Sequence, residues 1–392
     1  MRILHAYTHH RGGGGAENFI RSTIELCRQH GLAVESFCCN SNELGGGIRA
    51  HLEAGMRAFY SPPTVRLFEE AVERFGPDVV HLHDLFPLIP PQILGVCRRR
   101  KIPVVMSAEH YRLTCPIATH FRDGKVCTQC TGGREHWAVL HNCRGSVPES
   151  AIVAVYNKLE SQFRVFTGQV DHFIAPSNFA REWLMQHLPI TEERITTIEP
   201  FPEVPDEPAD AGTGSYVGFA GRFVPEKGID VVIEAARETG IPFHLSRHES
   251  YLVRVDLPPS AEVVVTRTRD DLRQFFRGAR MMVFPSIWFE TFGLSGAEAM
   301  SHGIPLVASR IGALAELVRD GVDGLLFEPG NARDLAAKVR LLWEDPELSR
   351  RLGRAARERV VRHWHPEVHI QRLRGLYEQV AYGRAERQAV AT

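Results

Sequence analysis

One run of residues organises this chain: Pro285-Ser286-Ile287-Trp288-Phe289-Glu290-Thr291-Phe292-Gly293-Leu294-Ser295-Gly296-Ala297-Glu298-Ala299-Met300. The residues just before it, 281–284, are apolar and predict a buried strand that ends at the proline. Residues 293–302 predict a helix, because apolar positions recur at helical spacing and Gly303 and Pro305 follow. A buried strand that leads directly into a helix is the repeating unit of α/β folds.

Two carboxylates lie on either side of this junction. Glu290 falls in the loop at the carboxyl end of the strand, and Glu298 falls inside the helix. A helix N-terminus is a natural site for phosphate, because its first N–H groups have no partner within the helix. The pattern predicts a phosphate flanked by hydroxyl-rich groups, such as a sugar and a ribose, near the N–H groups of Phe292, Gly293 and Leu294.

Here the chain resembles the retaining glycosyltransferases of the GT-B fold, family 4 (glycosyl transferases group 1). Their E-x7-E pattern is matched by Glu290 and Glu298. The resemblance implies that Glu290 lies at the donor sugar and that Glu298 contacts the ribose hydroxyls. Without that context, two glutamates at a helix start are usually no more than solvated surface charge.

Composition and charge limit the classes of protein that fit. The formal net charge is -1, which argues against a general nucleic-acid binder. No run of about 18 apolar residues is present, so no membrane span is expected. The first residues resemble a strand more than a signal peptide, and we expect a cytoplasmic protein. The basic run 98–101 suggests peripheral contact at the inner membrane face, although such runs are usually solvated helix ends.

Strand and helix patterns alternate twice along the chain. We predict an α/β fold of two Rossmann-like, doubly wound parallel-sheet domains. Prolines 200, 202, 205 and 208, followed by small residues, indicate a linker. The predicted parts are an acceptor domain at 1–200, a linker at 201–215 and a nucleotide-sugar donor domain at 216–362. The GT-B resemblance implies that the domains face each other across a cleft and that residues 363–392 form a helix crossing back to the first domain.

A glycine-rich turn follows the first predicted strand, at residues 11–17. Glycines let the backbone approach a ligand closely and present N–H groups to an anion. The spacing fits neither a dinucleotide fingerprint nor a Walker A loop, and a flexible turn is the alternative. The resemblance matches Gly14, Gly15 and Glu17 to the family's G-G-x-E turn, which faces the donor diphosphate.

Two basic residues follow the first strand of the second domain. Arg222 and Lys227 fall between a strand and a helix, where fixed cations can offset the charge on a departing nucleoside diphosphate. The segment 221–228 resembles the family's G-R-x4-K-G motif. No D-x-D pair ends a strand, and Asp270 and Asp271 are interpreted as helix-capping residues. We therefore predict transfer without a catalytic metal.

Polar residues also end the third and fourth strands of the first domain. Glu109 and His110 stand where related enzymes often have H-D-Y, and either can face the reacting carbon of the sugar. His81 and His83 share one face of a strand, so metal binding is conceivable. Structural or acceptor-lining histidines are the interpretation we favour.

A cysteine-rich insertion spans residues 115–143. A C-x2-C pair with two further cysteines predicts a closed, structural Zn²⁺ site outside catalysis. Reduced thiols, or a disulfide formed after purification, are the alternatives. The predicted ligands are Cys115, Cys127, Cys130 and Cys143, with His120, His136 and His141 as spare ligands.

The resemblance implies a retaining, hexosyltransferase-type enzyme that moves a sugar from a nucleoside-diphosphate sugar to an acceptor hydroxyl, in bacterial glycan, polysaccharide or glycoconjugate biosynthesis. The family's G-x-G-like turn is replaced by residues 245–250, so the resemblance does not extend to the nucleotide base. The acceptor stays open among glycans, glycolipids and small molecules. The alternatives are a sugar-nucleotide hydrolase or epimerase of the same fold, and a non-catalytic binding protein organised by the zinc loop.

Overall fold

The computed structural model describes residues 1–10, 15–41, 48–247 and 256–389, and of 48–52 and 384–389 it describes the backbone alone. Within these residues the strands are β1 (Arg2–His9), β2 (Ala33–Asn40), β3 (Val79–Leu82), β4 (Val104–Ser107), β5 (Phe121–Arg122), β6 (Lys125–Val126), β7 (His172–Ala175), β8 (Ile195–Thr197), β9 (Tyr216–Ala220), β10 (Phe243–Arg247), β11 (Ala261–Val265), β12 (Ala279–Phe284), β13 (Leu306–Ser309) and β14 (Gly324–Phe327).

The α-helices of the described residues lie between these strands and after the last of them. They are α1 (Gly15–Gln29), α2 (Ile48–Phe59), α3 (Pro62–Phe75), α4 (Ile93–Arg99), α5 (His136–Leu140), α6 (Val147–Gln162), α7 (Asn178–His187), α8 (Ile229–Thr239), α9 (Arg269–Gly278), α10 (Leu294–Ser301), α11 (Leu314–Leu317), α12 (Ala332–Glu344), α13 (Pro346–His363) and α14 (Pro366–Ala389).

The first of two compact units contains Met1–His120, Thr128–Ile198 and the chain from His369 onward. Its described strands form a parallel sheet in the order β2-β1-β3-β4-β7-β8. The six residues 3–8 of β1 are all buried, as expected for a central strand covered by helices on both faces. The chain order reverses between β1 and β3, and ligands in open α/β sheets bind outside the carboxyl ends of strands at such a point.

The second unit contains Phe121–Cys127 and Glu199–Val368. Its described parallel sheet has the order β11-β10-β9-β12-β13-β14, and β5 and β6 form a separate antiparallel pair. Met282 and Phe284 of β12 belong to one apolar cluster, whereas Met281 and Val283 belong to another. Alternate side chains of this strand therefore enter two cores, one on each face of the sheet. The chain order reverses here between β9 and β12.

The predicted fold class, two α/β domains with parallel sheets, is confirmed. The helix predicted over 293–302 is α10, one residue shorter at each end. Asp271 completes a capping box at the start of α9, although the N-cap residue itself is Thr268. The short strand β8 was not predicted, because a single apolar residue, Ile195, enters the core from its three positions.

The terminal helix α14 joins the first unit from His369 onward. Its Tyr377 is fully buried, and the phenol oxygen lies 2.7 Å from Nδ1 of His81 on β3. Arg374 donates to the backbone carbonyl of His30, and the His369 ring meets the Phe19 ring edge-on. The end of the chain thus supplies part of the first unit's core. None of the described helices has the length and apolar character needed to span a bilayer.

Candidate functional site

Two loops of the second unit meet where its strand order reverses. The loop 221–228 follows β9, and the loop 285–293 follows β12. The Ile287 N–H donates to the Glu226 carbonyl at 3.0 Å, which ties the two loops together. Gly228 has φ +70°, and a Cβ there would lie 2.0 Å from the Pro285 carbonyl oxygen. The loops therefore approach more closely than any residue with a side chain at 228 permits.

An ion pair forms between these loops. Lys227 Nζ donates to Glu290 Oε1 at 2.6 Å. The same carboxylate oxygen accepts from Ser286 Oγ at 2.6 Å and from Trp288 Nε1 at 2.8 Å. Lys227 Nζ also lies 5.4 Å from the centre of the Trp288 ring, within cation–π distance. The sequence predicted Lys227 and Glu290 as separate site residues, and the structure brings them into contact.

Glu290 is buried, with only 6% of its surface exposed. Burial alone would raise its pKa, but the Lys227 charge and three donated hydrogen bonds outweigh burial and lower the pKa. Because Ser286, Trp288 and Lys227 all use Oε1, the carboxylate is held in one orientation. Glu290 is thus an ionised, immobilised acceptor.

Arg222 belongs to the same loop but is not part of this ion pair. Its side chain is 51% exposed and lies 3.6 Å from the Glu226 carboxylate. An exposed pair at this distance contributes little to stability. The guanidinium is therefore available to solvent and to an anionic ligand.

The loop after β12 ends in α10, whose N-cap is Gly293. Gly293 has φ +100°, and a Cβ would come within 2.9 Å of Leu314 and 3.0 Å of Leu317. Phe292 is buried and meets the Trp364 ring edge-on at 5.4 Å. The half-buried Leu294 is the first helical residue. The start of α10 is thereby fixed against the core of the second unit.

Glu298 lies in the middle of α10 and is half-buried. Burial raises its pKa to about 7, and the Glu203 charge adds to this while Arg269 opposes it. None of the described residues donates a hydrogen bond to its carboxylate, in contrast to Glu290, whose Oε1 accepts three. The two glutamates of the E-x7-E pattern thus differ in electrostatic state, one ionised and one titrating near neutral pH.

In the first unit, the glycine-rich turn is described only from Gly15. Gly14 lies outside the described residues, and Gly15 is the first residue of α1. Glu17, in the first turn of that helix, pairs with His9 at the end of β1 and with Arg21 at 2.8 Å. These two residues hold the Glu17 carboxylate beside the carboxyl end of β1.

Glu109 and His110 follow β4 and contact different partners. Glu109 Oε1 lies 2.7 Å from Nδ1 of the buried His83. His110 Nε2 lies 3.0 Å from Asp84, which also pairs with Arg112 at 3.3 Å and His10 at 3.1 Å. Burial would raise the pKa of Asp84, but Arg112 and His110 hold it well below its usual range.

Among the described residues, one group could hold a metal ion. It contains His5, His81 and His83, whose ring nitrogens lie within 4.8 Å of one another. Both nitrogens of His81 are already engaged, by Tyr377 and by Ser107. Both nitrogens of His83 are engaged as well, by Glu109 and His5. A hydrogen-bonded, structural cluster therefore describes these histidines better than a metal centre.

No disulfide joins the predicted zinc cysteines in the part of the chain that the structure describes, and none of them belongs to that histidine group. Cys115 is buried, and the other three (Cys127, Cys130 and Cys143) are half-buried. The cysteine zinc site stays a prediction. In the basic run 98–101, Arg99 and Arg100 pair with Glu69 and Glu73 of α3, which favours a solvated helix end over a membrane contact.

Two family models match the chain. The model described as Glycosyltransferase Family 4 matches residues 13–201, and the model described as Glycosyl transferases group 1 matches residues 201–359. Together they cover most of both sheets and every loop of the second unit described above. The chain belongs to the family 4 glycosyltransferases.

Curated relatives of this glycosyltransferase include an uncharacterized glycosyltransferase of Methanocaldococcus jannaschii, 32% identical over 42% of this chain and 48% of the relative. The sulfoquinovosyl transferase of Arabidopsis thaliana is 27% identical over 73% of this chain and 54% of the relative. A D-inositol 3-phosphate glycosyltransferase of Streptomyces bingchenggensis is 29% identical over 48% of this chain and 49% of the relative. The chain spans about half the length of these relatives.

Solved structures share the fold of this glycosyltransferase at low sequence identity. Sucrose-phosphate synthase from Thermosynechococcus elongatus superposes with a TM-score of 0.70 at 18% identity, covering 98% of this chain and 100% of that chain. Anabaena HepE, solved with UDP and glucose, has a TM-score of 0.65 at 17% identity, covering 97% and 100%. Both are proteins of the GT-B fold, in agreement with the predicted fold class of two α/β domains with parallel sheets.

Sequence reasoning missed several residues around the site of this glycosyltransferase. Ser286 and Trp288 stand four and two residues before Glu290, yet nothing in their types marks them as its hydrogen-bond donors. Asp84 directly follows His83, yet nothing in the sequence indicated a role for it. Its role as the shared partner of Arg112, His110 and His10 depends on strands distant in sequence.

Proposed function

We propose that this glycosyltransferase transfers a sugar from a nucleoside-diphosphate sugar to an acceptor hydroxyl, with retention of the anomeric configuration. The observation that carries the proposal is the Lys227–Glu290 ion pair at the strand-order reversal of the second sheet. It combines a fixed cation for a diphosphate with an ionised, oriented carboxylate for sugar hydroxyls. The Anabaena protein of the same fold, solved with UDP and glucose, supports a nucleotide-sugar donor.

The second unit is proposed to bind the donor. Arg222, Lys227 and the N-terminal amides of α10 would hold the diphosphate, since fixed donors stabilise charge that develops on a leaving group. Glu290 would accept hydrogen bonds from the sugar hydroxyls. Glu298, whose carboxylate has no donor among the described residues, would accept from the ribose.

The first unit is proposed to provide the acceptor side. Gly15 and Glu17 would face the donor diphosphate, and Glu109 and His110 would face the reacting sugar. As the bond between the anomeric carbon and the diphosphate oxygen breaks, an oxocarbenium-like sugar forms. The acceptor oxygen attacks from the same face, and a phosphate oxygen takes its proton. No carboxylate pair of the glycosidase type is then required.

Arg222 and Lys227 are proposed to supply the positive charge that a divalent metal would otherwise bring to the diphosphate. Transfer should therefore continue in excess EDTA at a rate within about twofold of that measured with Mg²⁺. A rate that disappears with EDTA and returns with Mg²⁺ would refute the metal-independent mechanism while leaving the donor site intact.

The first experiment is a thermal-shift panel with UDP, GDP, ADP and dTDP, without added metal, on the wild type and Arg222→Ala. A ligand that binds only the folded state raises its stability by about 2.7 kcal/mol at a hundred times its Kd. We expect one nucleotide to stabilise the wild type and to lose most of this effect in the variant. Arg319→Ala removes another exposed arginine side chain of the same unit and serves as the control.

The reaction itself is followed by NMR of the product. An axial or equatorial anomeric proton that matches the donor establishes retention, and the opposite configuration contradicts it. Free sugar or an epimer formed without any acceptor would identify a hydrolase or epimerase. If none of the four nucleotides stabilised the wild type, the non-catalytic binding protein would be favoured.

A further inference from the structure

Three buried histidines lie on one face of the first sheet. His5 on β1 is the register partner of His81 on β3, and His83 follows two residues later, so all three side chains share a face. The His83 ring stacks on both others, with centroids 4.3 Å from His81 and 5.2 Å from His5. The exposed fractions of the three residues are between 0% and 2%. In such a buried cluster, a ring nitrogen without a hydrogen-bond partner costs stability.

Hydrogen bonds engage both ring nitrogens of His83. A carboxylate only accepts, so the 2.7 Å contact with Glu109 requires the proton of His83 on Nδ1. The other ring nitrogen of His83, Nε2, lies 2.9 Å from Nδ1 of His5. His5 Nε2 has no hydrogen-bond partner among the described residues. Burial holds the pKa of His5 well below its ordinary value, in agreement with a neutral ring.

Hydrogen bonds therefore link His5, His83 and Glu109 in a chain. His83 is itself held by its backbone, since its N–H donates to the Ala6 carbonyl at 3.0 Å. Glu109 stands at the outer end, with 11% of its side chain exposed against 2% for that of His83. One carboxylate oxygen, Oε1, is bound by the imidazole, so rotation of the carboxylate is restricted.

We propose that His83, supported by His5, is a positioning residue that orients Glu109 toward the reacting sugar. The inference rests on the proposed function, because Glu109 needs an orientation only if it acts on a sugar. The inference also decides between the two candidate residues at the H-D-Y position, because it assigns the role of facing the reacting sugar to Glu109 and not to His110. His110 is bound with Arg112 and His10 around Asp84, whereas Glu109 has an imidazole dedicated to its orientation.

The test compares His83→Leu, which removes the N–H, with His83→Asn, whose side-chain amide places an N–H near the former Nδ1. Transfer kinetics are measured with the full chain and the donor found by the nucleotide panel. We expect kcat to fall roughly 10- to 100-fold in His83→Leu, as for small misplacements of a reacting group. The donor KM should stay within about twofold, and His83→Asn should recover most of kcat.

The second arm repeats His83→Leu in a Glu109→Gln background. If His83 acts through Glu109, its removal should cost less than about twofold once the carboxylate is gone. His172→Gln is the matched control, because His172 is buried on β7 of the same sheet and its Nε2 lies 2.8 Å from the Thr196 hydroxyl, away from the three histidines. We expect its kcat and KM to equal those of the wild type.

The contrary results are distinct. Equal losses in His83→Leu and His83→Asn, or losses that multiply in the Glu109→Gln background, would overturn the positioning role while leaving transfer established. A donor KM that rises with kcat unchanged would do the same. A wild type that binds the nucleotide but transfers no sugar would overturn the proposed function, and this inference with it. Circular dichroism and the nucleotide shift of the second unit confirm that each variant is folded.

Discussion

Lys227 neutralises a carboxylate that the fold has already buried. Removing one partner of a buried ion pair typically costs about 3–5 kcal/mol, because the other charge is left without compensation. We predict that Lys227→Met lowers the unfolding free energy by about 3 kcal/mol at pH 7.5. The double variant Lys227→Met/Glu290→Leu should recover most of this loss, because both charges are then gone. Urea unfolding measures both.

This loss should depend on pH. In the wild type the pKa of Glu290 is lowered, so the ion pair contributes stability above the unfolded pKa and loses it as pH falls through the folded pKa. In Lys227→Met, only the hydrogen bonds from Ser286 and Trp288 oppose the burial of Glu290, and protonation of the carboxylate relieves the remaining penalty. The difference between wild type and variant should therefore shrink between pH 7.5 and pH 4.5. If the unfolding free energies of wild type and Lys227→Met differed by the same amount at both pH values, the ion pair would not be what lowers the pKa of Glu290.

The contribution of Glu298 to stability changes with pH in the opposite direction to that of Glu290. Its pKa is raised to about 7 by burial, so the folded state binds more protons than the unfolded state between about pH 4.5 and pH 7. Its contribution to stability falls as pH rises through this window. We predict that Glu298→Gln gains stability relative to the wild type from pH 5 to pH 8. The variant of an exposed residue, Glu358→Gln, serves as the control. A flat difference for Glu298→Gln would argue against a raised pKa.

Glu298 also gives a test with the nucleotide. Ribose hydroxyls donate to a carboxylate and favour its ionised form. Nucleotide affinity in the wild type should therefore increase as pH rises through 7, relative to Glu298→Gln with the same nucleotide. Using one nucleotide for both proteins cancels the titration of its phosphate. Isothermal titration at pH 6 and pH 8 measures the affinities, and identical pH dependence in both would remove Glu298 from the ribose site.

Single site residues could be predicted from sequence, but their partners could not. Glu290, Lys227 and Arg222 stand in motifs whose residue types and spacing indicate their chemistry. The contact between Lys227 and Glu290 joins residues 63 positions apart, and it exists because β9 and β12 are neighbours in the sheet. His83 and Glu109 likewise meet because β3 and β4 are adjacent. The local sequence pattern around one residue does not show which distant residue it will contact.

At the scale of elements, α8 is bounded by two glycines with left-handed backbones. Gly228 has φ +70° and is packed against the Pro285 carbonyl, whereas Gly240 has φ +64° and no atom within 4 Å of the place where a Cβ would lie. Alanine at either position meets the same backbone strain, of about 1–2 kcal/mol. Only at 228 does it also force the loops after β9 and β12 apart.

We therefore predict that Gly228→Ala weakens nucleotide binding at least tenfold relative to the wild type. It should also destabilise the chain more than Gly240→Ala does. The comparison isolates the separation of the loops from the backbone strain that both variants share. Nucleotide titration and thermal unfolding supply the two measurements. Equal behaviour of the variants would mean that the close approach of the two loops is unimportant for the donor site.

Elements were largely predictable because their apolar periods are regular. The alternating or continuous apolar patterns at Tyr216–Ala220, Phe243–Arg247 and His172–Ala175 predict strands, and the structure has β9, β10 and β7 there. The short hairpin of β5 and β6 was not predicted, because two residues per strand carry no period. Its backbone pairing is what defines it.

At the scale of the whole molecule, the first unit is completed by the last helix. From α14 it receives five buried apolar side chains, Ile370, Leu373, Leu376, Tyr377 and Val380. At about 1.5–3 kcal/mol for each buried side chain, their burial amounts to an upper limit on the order of 10 kcal/mol. The stability of a whole domain is about 5–15 kcal/mol. The first unit should therefore not persist without this helix.

We predict that a chain ended after Val368 loses the cooperative unfolding of the first unit, whereas a chain ended after Gly383 keeps it. The longer chain retains all five buried side chains and so controls for the shortening itself. Proteolysis and the unfolding transition follow the first unit, and the nucleotide shift follows the second. An unchanged transition after removal of residues 369–392 would show that the helix contributes little.

The position of Tyr377 against His81 also has a consequence for biosynthesis. Residues 1–198 leave the ribosome well before residue 369 is added, because 171 residues (369 − 198) separate the two points. At roughly 5–20 residues per second, that interval is about 10 to 35 s. Throughout it the first unit lacks the five buried apolar side chains of α14, and the second unit can finish folding before the first. Chaperones that bind nascent chains should therefore occupy the early part of this protein until translation is almost complete.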